Sequence, residues 1–254
     1  MKTLVVTGRG GVGKTTFAAL AVRYLRGRGR LLVVDADPDE SLAAALGLDL
    51  EAAGVRTISE LLYDVRFQKL DPALTQSLPA RPDQIEYLFH REGILEAQGF
   101  DFFAIGPKWA EGCYCQPNAV LKATVKDVAR SYTTALIDSP AGLEHLNRRI
   151  LSAVDSIFAL VGPSQKSFDN VARAHRILTE VHIVFRHFFL VANYEFPEEL
   201  VPTVSARTGF PCLGKVPYEE EVVRRLRAGE PLIDLEESSP AFQAVAAILK
   251  EAGY

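Results

Sequence analysis

The hydrophobic positions of this 254-residue chain form short continuous runs, and amphipathic stretches of helical period separate them, as at residues 15–28, 167–181 and 219–228. Continuous runs are typical of strands that are covered on both faces of a parallel sheet. The runs are Leu4–Thr7, Leu31–Asp35, Phe102–Ile105, Thr134–Asp138, Ser156–Val161 and Phe188–Ala192, with a shorter one at Leu213–Val216. The alternation predicts an α/β fold with a doubly wound, mostly parallel sheet flanked by helices.

Two stretches depart from this alternation. Residues 48–100 show no clear period and contain Pro72, Pro79 and Pro82, so we expect an elaborated connection between two strands of the sheet. Near the end, Phe242, Val245, Ala246 and Leu249 are at helical spacing and predict a core-packed helix over residues 240–254. We therefore expect residues 1–254 to form a single domain, which is a common arrangement for α/β chains of this length.

Composition bears on the partners of the chain. The formal net charge is −4 and the pI is near 5.8, so there is no basic excess of the kind that nucleic-acid binding requires. No apolar run approaches the roughly 18 residues that span a bilayer. We therefore expect a cytoplasmic protein with neither a nucleic-acid nor a membrane partner.

A phosphate-binding motif lies at the amino end. Residues 8–15 read Gly-Arg-Gly-Gly-Val-Gly-Lys-Thr, which fits the pattern G-x-x-x-x-G-K-[ST] between a predicted strand and a predicted helix. The glycines let backbone N–H groups point at phosphate oxygens, and the helix adds its positive end. Lys14 is predicted to reach the β- and γ-phosphates, and the Thr15 hydroxyl to bind Mg²⁺. The predicted nucleotide contacts are Gly8, Gly10, Gly11, Val12, Gly13, Lys14, Thr15 and Thr16.

Carboxylates at the ends of two predicted strands complete this site. Ligands of open α/β sheets lie outside the carboxyl ends of the strands, so Asp35, Asp37 and Asp138 should face the phosphate loop. Asp138 is predicted to hold Mg²⁺, usually through water, with Asp35 in support. Asp37 is predicted to orient the attacking water, whereas Asp39 is better explained as a helix cap or a solvated charge.

Two further features concern the nucleotide. Gly142, four residues past Asp138, could bring a backbone N–H to the γ-phosphate as a switch that senses hydrolysis. Residues 193–196 read Asn-Tyr-Glu-Phe and lack the aspartate of the Asn-Lys-x-Asp pattern of guanine binders. We therefore predict an adenine base that pairs with Asn193 and packs on the Val216–Tyr218 segment, including Pro217.

The cysteines suggest metal chemistry. Cys113 and Cys115 are two residues apart, which would strain a disulfide, whereas Cys212 stands alone and fits a core position. Two thiolates from each chain of a twofold dimer would make a four-sulfur site. Such a site could hold Zn²⁺ or Ni²⁺, and a [4Fe–4S] cluster is also conceivable. The alternative is a pair of small exposed cysteines in a loop.

The loop over residues 7–16 resembles the deviant Walker A motif of the MinD, ParA and nitrogenase-iron-protein class of P-loop ATPases. That class implies ATP-dependent dimers in which a signature lysine of the loop reaches the nucleotide of the partner. Arg9 occupies the signature position here, which keeps the charge but presents a planar fork instead of an ammonium. The resemblance implies a catalytic role for Arg9 beside Lys14, Asp37 and Asp138.

Three segments are similar to CooC-type ATPases, which help insert nickel into carbon monoxide dehydrogenase. They are residues 112–121 with the cysteine pair, residues 137–149, and residues 216–218 followed by an acidic run. The resemblance implies a homodimeric ATPase that uses ATP, ADP and Mg²⁺. It also implies Ni²⁺ or Zn²⁺ held between Cys113 and Cys115 of both chains, and carbon monoxide dehydrogenase as client.

Three other functions fit parts of the pattern. One is a positioning or partitioning switch of the MinD or ParA kind, for which the proline at Pro140 is typical. Another is an electron-transfer reductase with a bridging cluster. The third, suggested by Arg9, is a subunit that holds ADP and hardly turns it over.

Overall fold

The computed structural model describes residues 1–67, 86–107, 131–140, 153–180 and 182–254. Its centre is an eight-stranded sheet in the order β3-β4-β2-β5-β1-β6-β7-β8. The strands are β1 (Lys2–Gly8), β2 (Leu31–Asp35), β3 (Leu95–Ala97), β4 (Phe100–Ala104), β5 (Thr134–Asp138), β6 (Ala153–Val161), β7 (Val184–Ala192) and β8 (Cys212–Lys215). Only the β3–β4 pair is antiparallel among the described strands.

Helices follow most of these strands. They are α1 (Lys14–Leu25), α2 (Ser41–Ala45), α3 (Ile58–Phe67), α4 (Gln165–Glu180), α5 (Thr203–Thr208), α6 (Glu220–Ala228) and α7 (Pro240–Glu251). Short 3-10 turns lie at Glu198–Leu200 and Leu232–Asp234, and a π-helical turn at Phe89–Gly93. Within the described ranges, no helix is both long enough and apolar enough to cross a membrane.

Apolar side chains cover both faces of the sheet, which confirms the predicted doubly wound α/β fold. On one face, alternate strand residues such as Val6 and Leu136 pack with α1, α2, α6 and α7. On the other face, Val5 and Ile137 belong to a cluster with α3, α4 and α5. The predicted carboxy-terminal helix is confirmed as α7, because Val245 and Leu249 are fully buried in the first of these clusters.

The stretch over residues 48–100 connects β2 to β4, as expected, but it contains elements that its sequence did not reveal. Arg56 bridges Asp64 of α3, at 2.6 Å, and Glu92 of the π-helical turn, at 3.4 Å. The stretch then forms β3, which has three residues and is too short to show a period. Pro72, Pro79 and Pro82 lie outside the described residues.

Candidate functional site

A phosphate-binding loop joins β1 to α1. A Cβ atom at Gly8 would lie 2.8 Å from the carbonyl oxygen of Leu160, and the φ of Gly8 is +148°, so only glycine fits. Gly13, with φ of 99°, turns the chain into α1, whose first N–H groups lack intrahelical partners. Arg9, Gly10 and Gly11 are exposed between these points. The loop therefore offers backbone N–H groups and a positive helix end to an anion, as the motif predicts.

The two cations of the loop are in different surroundings. Lys14 is buried, at 7% exposure, and its Nζ donates to the carbonyl oxygen of Arg9 at 3.4 Å. The Arg9 side chain is exposed and makes no ion pair with any residue that the structure describes. The geometry thus gives Lys14 a fixed place at the loop and leaves Arg9 projecting outward. Their catalytic roles stay predictions.

A hydrogen bond joins the phosphate loop to the end of β5. Thr15 Oγ1 donates to Asp138 Oδ2 at 3.0 Å, and Asp138 is 1% exposed. The other carboxylate oxygen of Asp138, Oδ1, is buried and has no hydrogen-bond partner among the residues that the structure describes. Burial raises the pKa of Asp138 to about 7, and the hydrogen bond from Thr15 and the charge of Lys14 offset part of this rise.

Asp35 lies beside Asp138, because the two residues are partners in the parallel register of β2 and β5. Asp35 is fully buried and accepts backbone N–H groups from Asp37, at 3.0 Å, and from Leu42, at 2.9 Å. Burial raises its pKa to about 7, and the negative charge of Asp138 adds to this rise. Asp35 therefore anchors the turn that carries Asp37, a role that the sequence did not indicate. Its predicted support of Mg²⁺ stays a prediction.

A hydrogen bond within the turn after β2 adds to the contacts that Asp35 makes. The half-buried Asp37 accepts the backbone N–H of Asp39 at 3.1 Å through Oδ1. Asp39 itself is exposed, in keeping with its interpretation as a solvated charge. The predicted role of Asp37 in orienting water is not tested by these contacts.

The donors around Asp138 suit a magnesium ion. Mg²⁺ prefers oxygen ligands, usually one or two protein oxygens together with phosphate and water. The Thr15 hydroxyl and the unpartnered Oδ1 of Asp138 are two such oxygens beside the phosphate loop. An unpartnered buried carboxylate oxygen is costly unless a ligand satisfies it, so the residues fit the ion.

A cavity of about 140 Å³ lies next to the phosphate loop. Asn193 and Pro217, the two residues predicted to contact the base, both line it beside Gly13 and Thr16 of the loop. Other lining residues are Val12, Leu160, Tyr194, Val216, Tyr218, Glu219, Val222, Val223, Leu226 and Ala241. The structure thus brings together segments nearly two hundred residues apart, and it leaves base binding by them as a prediction.

Sequence reasoning missed two features of this region. The rings of Tyr194 and Tyr218 lie 6.3 Å apart at the cavity, although only Tyr218 was considered. Ser139 is 1% exposed, and no other described residue makes a hydrogen bond with its Oγ. The position of Tyr194 directly after Asn193 was a usable signal for the first feature. Nothing in the local sequence pattern signals the second.

Several predicted residues lie outside the described part of the chain. They are Gly142, Cys113 and Cys115. Among the residues that the structure does describe, no group of three histidine, cysteine or acidic side chains is placed to hold a metal. Cys212, the remaining cysteine, is the first residue of β8 and is half-buried against the core, whereas a core position was predicted.

Comparison with known proteins places this site in a family. The CobQ/CobB/MinD/ParA nucleotide binding domain matches residues 3–232. The chain belongs to this family. It is a P-loop ATPase of the MinD/ParA class.

Individual relatives agree with this assignment over nearly the full length. An uncharacterised ATP-binding protein of Methanocaldococcus jannaschii is 31% identical over 253 residues, covering 98% of this chain and 97% of that protein. The carbon monoxide dehydrogenase accessory protein CooC of Rhodospirillum rubrum is 26% identical, and the match covers 98% of this chain and 97% of that protein. Among solved structures, this chain is similar to the septum site-determining protein MinD of Pyrococcus horikoshii in complex with Mg-ADP. The TM-score is 0.66 at 18% identity, and the alignment covers 99% of this chain and 96% of that chain.

The buried carboxylates predict a pH dependence of stability without nucleotide and Mg²⁺. Folded Asp35 and Asp138 keep protons up to about pH 7, whereas unfolded aspartates lose them near pH 3.9. Their stabilisation is therefore complete below about pH 4 and is lost as the pH rises through 7. We expect the free energy of unfolding, from denaturant titration, to fall between about pH 4 and pH 7 and to level off above. The fall should be smaller in Asp138→Asn, by on the order of 2 kcal/mol.

Asp39→Asn is the matched control, because Asp39 is an exposed aspartate on the same turn, two residues after Asp37. This control should follow the wild-type pH profile. Identical profiles for wild type and Asp138→Asn would contradict the shifted pKa of Asp138.

Proposed function

We propose that this ATPase depends on Mg²⁺ and that its metal site is the pair formed by Thr15 and Asp138. One observation supports this most: the Thr15 hydroxyl donates to Asp138 Oδ2, while the buried Oδ1 lacks a partner within the described part of the chain. Such an arrangement fixes two oxygens beside the phosphate loop before any ligand binds. When bound, Mg²⁺ would neutralise charge on the phosphates.

In this proposal some residues bind the phosphates and others orient the attacking water. The loop N–H groups and Lys14 hold the phosphates, and Asp37 orients the attacking water on a turn that Asp35 anchors through 3.0 Å and 2.9 Å contacts. Because Arg9 projects outward, it is free to reach the nucleotide of a second chain. We propose this role for it in a homodimer, and the switch role for Gly142.

The base of the nucleotide is adenine in this proposal. The cavity beside the loop is lined mainly by apolar side chains, together with the buried Asn193. Asn193 Oδ1 accepts the N–H of Glu195 at 3.2 Å, which fixes the orientation of the amide. Phe196 occupies the place of the aspartate that guanine binders use, and its side chain is buried at 2% exposure. No carboxylate is therefore available from that position.

At a finer level, we propose a metallochaperone that assists nickel insertion into a metalloenzyme such as carbon monoxide dehydrogenase. The similarity to CooC over nearly the whole length supports this function, together with the spacing of Cys113 and Cys115. Ni²⁺ or Zn²⁺ would bind to four thiolates between two chains. ATP and the metal would then bias the dimer between open and closed forms.

A positioning or partitioning switch is the second candidate, and the shared fold with MinD favours it. Membrane attachment through the carboxy-terminal helix would need an apolar face that is free to leave the protein. The apolar face of α7 instead packs in the core, with Val245 and Leu249 fully buried. This packing favours the metallochaperone.

Lys14 provides the first test of the catalytic proposal. Lys14→Ala removes the cation from the phosphate loop, and we expect ATP hydrolysis to fall by about 10²-fold, with ATP-driven dimerisation lost. Lys250→Ala, at an exposed position of α7, is the matched control and should leave both unchanged. Phosphate release and light scattering measure the two properties. A Lys14→Ala protein that dimerises with ATP like wild type would contradict the proposal.

Nickel binding tests the finer function. In equilibrium dialysis we expect about one Ni²⁺ per two chains in wild type and none in Cys113→Ser/Cys115→Ser, since the site needs both thiolates of each chain. Cys212→Ser should bind nickel like wild type, because the proposed site needs only the thiolates of Cys113 and Cys115 and Cys212 is half-buried in β8. No nickel in wild type, with ATP hydrolysis intact, would favour the positioning switch.

A further inference from the structure

Three arginines are concentrated at the end of α1 that is remote from the phosphate loop. Residues 26–30 read Arg-Gly-Arg-Gly-Arg, and we call this segment the arginine turn. Helix α1 has 12 residues, so the turn lies about 18 Å from the phosphate loop. Arg28 and Arg30 are exposed and Arg26 is half-buried. The net charge of −4 conceals this local cluster of positive charge.

The backbone of the arginine turn is held in place. The N–H of Thr133 donates to Arg30 O at 2.9 Å, and Thr133 Oγ1 donates to the same oxygen at 2.9 Å. Gly29 has φ of +122°, and a Cβ atom there would lie 2.5 Å from Thr133 Oγ1, so only glycine fits. The chain therefore presents its arginines from a fixed turn, which lowers the entropy lost when they bind a partner.

Aromatic rings hold two of the guanidinium groups. That of Arg28 lies 4.1 Å from the centre of the Tyr24 ring, and that of Arg30 lies 4.9 Å from the centre of the Tyr132 ring. Arg28 Nε also donates to Tyr24 O at 2.9 Å, near the end of α1. A guanidinium oriented by a ring can use its remaining N–H groups as a fork for a carboxylate or phosphate.

These arginines lack acidic partners, unlike others in the protein. Arg56, Arg224 and Arg225 bind carboxylates at 2.6 to 2.8 Å. Arg26, Arg28 and Arg30 make no ion pair with any residue in the described ranges. As far as the described chain shows, the arginine turn is therefore a set of positive charges without acidic partners at the protein surface.

We infer that the arginine turn is a docking surface for an acidic segment of a protein partner. Carboxylates border the turn: Asp101 accepts the hydroxyl of Tyr132, and Asp234 and Glu237 act electrostatically on the neighbouring Arg23. These negative charges would repel the long phosphate backbone of a nucleic acid, whereas a short acidic segment can pair with the three guanidinium groups alone. Because the turn is remote from the phosphate loop, the partner would leave that loop open to nucleotide.

The test uses the full chain and a fluorescein-labelled oligoglutamate peptide at low salt, with binding read by fluorescence anisotropy. We expect Arg26→Gln/Arg28→Gln/Arg30→Gln to bind the peptide at least about tenfold more weakly than wild type. Arg176→Gln/Arg186→Gln/Arg227→Gln removes the same charge from exposed positions elsewhere and should stay within about twofold of wild type. Arg30→Gln alone, which keeps the contact between Arg28 and α1, should weaken binding by about threefold.

Absence of peptide binding by wild type, or equal loss in the two triple variants, would overturn the inference. Duplex DNA is the competing probe. DNA that binds wild type more tightly than the peptide, and that loses binding in the arginine-turn variant, would overturn the choice of a protein partner. Equal unfolding midpoints and ATP affinities for the two triple variants show that both are folded.

Discussion

The hydrogen bond between Thr15 and Asp138 joins the first turn of α1 to the end of β5, and the site depends on it. It can form because β1 and β5 are parallel neighbours with Val6 opposite Asp138, so their carboxyl ends meet at one edge. The phosphate loop leaves β1 at that edge through Gly8, which the approach of Leu160 restricts to glycine. The order of the strands therefore determines where the phosphate loop lies and which oxygen atoms face it.

This arrangement places two carboxylates side by side in the interior. Burial disfavours their charged forms, and the negative charge of Asp138 also raises the pKa of Asp35. Backbone N–H groups of Asp37 and Leu42 satisfy Asp35, whereas one oxygen of Asp138 has no partner in the described ranges. We interpret the unsatisfied oxygen as stability given up for cation binding, as is usual where a site is formed before its ligand arrives.

Much of the fold was predictable from sequence because central parallel strands are buried on both faces and appear as continuous apolar runs, such as Leu31–Asp35. Strand β3 could not be predicted from sequence, because a run of three residues shows no period. Its conformation depends on pairing with β4. The motif predicted the loop around Lys14. The backbone contacts of Asp35 and the burial of Ser139 arise from tertiary packing, which residue spacing does not encode. The arginine turn escaped notice because net charge averages over the whole surface.

The central claim is that Thr15 and Asp138 hold Mg²⁺ for a nucleotide bound at the phosphate loop. Isothermal titration of ATP with Mg²⁺ and with a chelator, in wild type and Thr15→Ala, tests it most directly. Thr203→Ala, with an exposed hydroxyl in α5, is the control. We predict that Mg²⁺ tightens ATP binding at least about tenfold in wild type and the control, and much less in Thr15→Ala. Equal ATP affinity with and without Mg²⁺ in wild type would contradict the account.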